Sequence, residues 1–137
     1  MVDTPSSPGP AITIPISPGE VVDRLTILEI KSERISDKTK LVDVHHELGK
    51  LLEAAKSAIP DSQDMRALRA ELKAVNEELW VIEDDIRQCE RERDFGATFI
   101  ALARAVYKTN DQRADLKRRI NEALGSDIME QKSYAPY

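Results

Sequence analysis

The chain has 137 residues and a net charge of -5, with 41% hydrophobic, 33% charged and 4% aromatic residues. This composition argues against an all-β fold, and the acidic balance argues against nucleic-acid binding. The lone cysteine, Cys89, excludes an internal disulfide and favours a reducing compartment. Since the sequence shows no leader and no long apolar run, we expect a cytoplasmic protein without membrane insertion. We expect a disordered segment at residues 1–10 and a single helical domain at residues 11–137.

Local signals predict where the first helices begin. Residues 11–16 read as a short extended segment, and Ser17-Pro18-Gly19-Glu20 forms a capping box. In such a box the Ser17 hydroxyl accepts the Glu20 amide, and the Glu20 side chain returns to the Ser17 amide. A helix over residues 18–35 should follow. The pair Ser36-Asp37 is a second capping signal, which leaves open whether residues 18–35 and 38–58 form two helices or one kinked helix.

Apolar residues recur at alternating steps of three and four along a predicted third helix, residues 63–93. The members of this seam are Met65, Leu68, Leu72, Val75, Leu79, Ile82, Ile86 and Cys89. A similar seam follows over residues 97–124, and the short connection makes the two helices antiparallel. The sequence therefore predicts an all-α, coiled-coil-like helical bundle. It is a long-helix hairpin packed with one or two N-terminal helices and preceded by a short extended segment.

Charge is distributed unevenly along this hairpin. Residues 63–92 hold nine acids and five bases, whereas residues 103–119 hold six bases and two acids. Flanking ion pairs between the two helices would follow. At the far end of the hairpin, basic residues crowd together: Arg66, Arg69, Lys73, Arg113, Lys117, Arg118 and Arg119. This end is either a solvated helix terminus or an anion site.

One turn of the predicted fourth helix is polar where the seam should be apolar. Tyr107, Asn110, Asp111 and Arg113 cluster there. Because buried polar groups need partners, we expect contacts with Glu78, Glu83 or acids of the first helix. Two interpretations stay open: a structural layer that sets the helix register, or a binding site between helices.

Several stretches of the chain resemble an uncharacterised bacterial and phage family, a domain of unknown function. They are PISPGEVVDRLTILEIKSERI, ELWVIEDDIRQCE, FIALARAVYKTNDQRADLKRRIN and KSYAPY. The resemblance runs from Ile12 to Tyr137, and its marks are the PxSxGE opening, Leu79-Trp80, Asn110-Asp111 and Lys132-Ser133-Tyr134. Members of such families sometimes lie near genes for surface-polysaccharide synthesis. The resemblance implies no activity, but it is a reason to regard twelve residues as one family pattern: Glu20, Asp23, Lys31, Trp80, Glu83, Arg87, Arg104, Tyr107, Asn110, Asp111, Arg113 and Lys117.

Two functions compete at this point. We expect a non-enzymatic, self-associating assembly or adaptor module, a homodimer or other homo-oligomer with Trp80 or the first helix near the contact. The alternative is a site for a small anionic ligand, a phosphorylated sugar or nucleotide. Its candidate residues are Glu20, Asp23, Glu83, Arg87, Arg104, Tyr107, Asn110, Arg113 and Lys117. No catalytic motif, cofactor motif or metal-ligand spacing is present in the sequence, so we predict none of these.

Overall fold

A computed structural model describes residues 9–137, and in this range it contains four α-helices and no β-strand. The helices are α1 (Pro18–Arg34), α2 (Lys38–Ala58), α3 (Gln63–Glu92) and α4 (Ala97–Ala123). The predicted all-α helical bundle is confirmed. The segment predicted to be disordered, residues 1–10, lies outside the described residues except for its last two positions.

The start of α1 follows the capping signal in part. The Ser17 hydroxyl accepts a hydrogen bond from the Glu20 amide at 3.2 Å, and Pro18 occupies the first turn. The reciprocal half of the box does not form as predicted. The Glu20 carboxylate is instead engaged by Arg24 at 3.0 Å and by Lys117 at 2.7 Å, because α4 lies against this end of α1.

The second capping signal separates α1 from α2. The Asp37 carboxylate accepts the Thr39 and Lys40 amides at 2.9 and 3.1 Å. Ile35 is extended, with φ of -78° and ψ of 129°, so the chain leaves helical geometry before Asp37. Residues 18–58 therefore form two helices rather than one kinked helix.

The predicted hairpin is formed by α3 and α4. Arg93 ends α3 in the left-handed conformation with φ of +53°, and Gly96 precedes α4. The seam of α3 faces inward, and part of it forms the core with residues of α1 and α4. That cluster consists of Val22, Met65, Leu72, Leu116 and Ile120.

The helix α1 lies at the centre of the bundle and packs against each of the other three helices. Gly19 allows α4 to approach closely, since a Cβ atom at this position would lie 2.4 Å from the Lys117 carbonyl oxygen. The Gly19 amide also donates to the Asn121 side-chain oxygen at 2.7 Å. By contrast, α2 is peripheral. Within residues 9–137 it packs against α1 alone, and Val44 is its one buried residue.

Backbone pairing does not hold the C-terminal tail (residues 126–137) against the N-terminal extended segment (residues 11–16). No backbone hydrogen bond joins these two segments within the described part of the chain. The tail is held on α4 by side chains instead. Glu130 contacts Lys117 at 2.9 Å, and the Tyr137 hydroxyl donates to Asp111 at 2.6 Å.

Replacing Ser17 tests the cap of α1. Ser17→Ala should lower the free energy of unfolding by about 1 kcal/mol, because the Glu20 amide loses its acceptor. Ser57→Ala is the matched control, since that exposed hydroxyl only donates to the Ala54 carbonyl at 3.4 Å. Urea unfolding measures both variants. Equal midpoints for Ser17→Ala and the wild type would show that the cap does not stabilise α1.

Candidate functional site

A buried polar network joins α1, α3 and α4. The Asp23 side chain is 1% exposed and accepts from Arg113 Nε at 2.9 Å and from Arg113 Nη2 at 2.5 Å. Asn76 Nδ2 donates to Asp23 Oδ1 and to Thr26 Oγ1, each at 2.9 Å. The Thr26 hydroxyl in turn donates to the Asp23 carbonyl at 2.8 Å. We call these four residues the Asp23 network.

The Asp23 network is satisfied by its own members. No buried side-chain nitrogen or oxygen in the described residues lacks a hydrogen-bond partner. The hydrogen bonds and charge of Asp23 hold the pKa of the Arg113 guanidinium above its ordinary value, despite the opposing effect of burial. A bidentate, charge-assisted pair of this kind fixes both distance and orientation. Arg113 thus meets an acid of the first helix, as expected for the polar turn of α4, whereas the Asn110 side chain makes no hydrogen bond within the described residues.

A second set of charges lies one turn away, at the start of α1. Lys117 contacts both Glu20 and Glu130. Burial by itself raises the pKa of Glu20, but hydrogen bonds from Lys117 and Arg24 outweigh it, so this pKa lies below its ordinary value. Burial by itself lowers the pKa of Lys117, but the Glu20 and Glu130 carboxylates outweigh it, so this pKa lies above its ordinary value. Both groups are therefore held in their charged forms at neutral pH.

Most of the basic residues at the far end of the hairpin form ion pairs with acids. Arg69 forms an ion pair with Glu29, and Lys73 contacts Glu33 at 2.6 Å and Glu29 at 3.4 Å. The hydrogen bond to Glu33 is the main reason that the pKa of Lys73 is raised. These acids belong to α1, so partly exposed ion pairs between α1 and α3 neutralise part of the crowded positive charge.

A cleft of about 480 Å³ opens beside the Asp23 network. It is lined by apolar and polar side chains of α1, α3 and α4: Ile27, Ile30, Asn76, Leu79, Trp80, Glu83, Asp84, Arg87, Asn110 and Arg113. The volume suits a small molecule. Both guanidinium groups of the lining are already ion-paired, Arg87 with Glu83 at 3.1 Å and Arg113 with Asp23. The cleft therefore offers an incoming anion little uncompensated positive charge.

The candidate residues are brought together only in part. Glu20, Asp23, Arg113 and Lys117 lie along the contact between α1 and α4, and Glu83, Arg87 and Asn110 line the cleft. Tyr107 is 43% exposed and packs against Tyr137, with ring centroids 5.3 Å apart. Arg104 is exposed and does not line this cleft.

Sequence reasoning missed three buried polar residues: Thr26, Asn76 and Asn121. Asn76 follows Val75 of the seam and lies one turn from both Leu72 and Leu79, so its position beside the seam indicates burial. Thr26 follows Asp23 by one helical turn, which places both side chains on the face of α1 that meets the hairpin. Asn121 carries no such signal, because its partner is the backbone of Gly19.

A family model with the description "Family of unknown function (DUF6165)" matches residues 12–137 of the chain. The chain belongs to this family. The match covers α1 to α4 and the tail of this DUF6165 protein, and it includes the whole Asp23 network. Comparison with curated proteins and with solved structures finds no match in either set. Among the described residues of the DUF6165 chain, none of the helices is long and apolar enough to cross a membrane.

Two asparagines that line the cleft differ in their hydrogen bonding, since Asn76 belongs to the Asp23 network and Asn110 does not. Asn76→Leu should lower the free energy of unfolding by about 2 kcal/mol, because it removes two buried hydrogen bonds, one of them to a carboxylate. Asn110→Leu is the matched control. Its side chain makes no hydrogen bond within the described residues, so we expect a change below about 0.5 kcal/mol.

Urea denaturation measures the free energy of unfolding of both variants and of the wild type. If Asn110→Leu destabilises the protein as much as Asn76→Leu does, Asn110 belongs to the same structural layer as Asn76.

Proposed function

We propose that this protein is a self-associating helical module that acts as an assembly or adaptor unit. The observation that supports this most is the one-sided packing of α2. This 21-residue helix buries a single residue, Val44, within the described chain, while Val42 is 68% and Leu52 is 45% exposed. An amphipathic helix is normally stabilised by packing of its apolar face. Because most of α2 is exposed, a second partner could pack on it.

The surface area of the protein supports the same function. The accessible surface is 10,062 Å² for a mass of 15.4 kDa. A compact monomer of this mass exposes about 7,200 Å². The exposed segments at residues 9–16 and 126–137 contribute part of this excess, and the peripheral α2 contributes another part. Association would cover surface that the chain cannot cover by itself.

The packing of the other helices supports a contact on α2. The helix α1 is already enclosed by α2, α3 and α4, so it has little free surface to offer a partner. Trp80 is half-buried and lines the cleft beside the Asp23 network. We therefore assign the contact to α2 rather than to α1 or Trp80.

The alternative function, binding of a small anionic ligand such as a phosphorylated sugar or nucleotide, has weaker support. Arg87, Arg113 and Lys117 each have carboxylate partners. Arg104 is the one cation of the candidate set without an ion pair among the described residues, and it lies outside the cleft. An anionic ligand would have to displace the ion pairs of Arg87 or Arg113 before either side chain could bind it in the cleft.

Sedimentation equilibrium over a range of micromolar concentrations tests the proposed function. The wild type should associate reversibly. Leu52→Glu should weaken association by about tenfold or more, because it places a charge in an apolar contact. Val81→Glu is the matched control on α3, since Val81 is 44% exposed and Leu52 is 45% exposed. A wild type that stays monomeric at every concentration would refute self-association.

A further inference from the structure

We propose that the cleft beside the Asp23 network binds an uncharged, planar nitrogen heterocycle that carries an exocyclic amino group, as adenine does. This inference goes beyond the proposed self-association and does not depend on it. The cleft has a volume of about 480 Å³, and Trp80, Asn76 and Asn110 contribute to its lining. We call it the Trp80 cleft.

The amide oxygen of Asn76 is a hydrogen-bond acceptor that the fold leaves free. Asn76 is only 6% exposed, and its Nδ2 donates to Asp23 Oδ1 and to Thr26 Oγ1. Because the Asp23 carboxylate accepts, it holds the amide nitrogen toward α1 and turns Oδ1 the other way. No described residue donates to Oδ1, although every fully buried side-chain oxygen of residues 9–137 has a partner. Oδ1 is therefore accessible to solvent, at a residue that lines the Trp80 cleft.

Asn110 adds a second polar group to the same cleft. Its side chain is half-buried and makes no hydrogen bond within the described residues. A primary amide offers both donors and an acceptor, and asparagine pairs in this way with the amino group and a ring nitrogen of adenine. An exocyclic amino group has two hydrogens, so one can be donated to the Asn110 oxygen and the other to Asn76 Oδ1.

The rest of the lining includes apolar walls. Trp80 and Leu79 of α3 and Ile27 of α1 are half-buried, and Ile30 is buried. An indole ring stacks on the face of a planar heterocycle and leaves the edge of that ring free for hydrogen bonds. A sugar carries hydroxyl groups around its whole ring, and aliphatic walls would leave some of them without partners. The lining therefore favours a planar ring with its polar groups along an edge.

The charges around the Trp80 cleft argue against a phosphate group on the ligand. Arg87 is paired with Glu83, and Arg113 is paired with Asp23. Asp84 also lines the cleft and forms no ion pair with any described residue. Two positive and three negative side chains thus surround the cleft. A neutral base or nucleoside suits this balance, whereas a nucleotide would be repelled by the excess negative charge.

Fluorescence of Trp80 tests the proposal in the full-length wild type, because this residue is the single tryptophan of the chain. Titration with adenine should quench the emission to a plateau. Purine, which lacks the amino group, should bind about tenfold more weakly, since the oxygens of Asn76 and Asn110 lose their donor. Adenosine monophosphate should bind no more tightly than adenosine, and glucose should leave the emission unchanged.

Asn110→Leu tests the same site from the side of the protein. Its affinity for adenine should fall by about tenfold, because the paired hydrogen bonds are lost. Gln112→Leu is the matched control and should bind adenine as the wild type does, since Gln112 is an exposed amide of α4 outside the lining of this cleft. Urea midpoints of both variants establish that they are folded.

Quenching by adenine that grows linearly without a plateau is collisional and would overturn the proposal. Equal affinities for adenine and purine, or equal affinities of Asn110→Leu and the wild type for adenine, would overturn it as well. Tighter binding of adenosine monophosphate than of adenosine would show an anion site instead, and saturable binding of glucose would show a sugar site. The comparison of adenine with purine uses the wild type alone, so it stands even if Asn110→Leu does not fold.

Discussion

The arrangement of the bundle depends on one buried carboxylate. Moving a charged Asp23 out of water costs several kcal/mol, and a bidentate arginine together with an additional hydrogen bond offsets that cost only in one geometry. Arg113 on α4 and Asn76 on α3 supply those contacts. An apolar contact would let α1 slide or rotate at small cost. The Asp23 network instead fixes the position of α1 on the hairpin.

Other contacts of α1 agree with this alignment. Toward its N-terminus, Gly19 lies against the backbone of α4 and Glu20 meets Lys117. Toward its C-terminus, Glu29 and Glu33 meet basic residues of α3. The central helix is thus joined to α4 at one end, to α3 at the other and to both in the middle. This arrangement leaves α2 outside the network, where its packing on α1 covers one face and exposes another.

The sequence predicted what depends on local physics and missed what depends on distant partners. Capping by Ser17 and the two-helix boundary at Asp37 are decided within a few residues, and the seam of α3 is a repeat that any window of the helix reveals. The partner of Arg113 lies 90 residues away, and the sequence alone left it as one of several acids. Which acid it meets depends on how α1 is rotated, and that rotation is decided by the packing of the whole bundle. The peripheral position of α2 likewise depends on the packing of the whole bundle.

A double-mutant cycle between Asp23 and Arg113 is the most direct test of the claim that this pair holds α1 on the hairpin. Asp23→Leu, Arg113→Met and the double variant would be unfolded in urea, and their free energies compared with the wild type. Each single variant leaves a charged partner in a buried or half-buried site, so the double variant should be less destabilised than the sum by about 2 kcal/mol. Costs that add to within about 0.5 kcal/mol would contradict the central role of the pair.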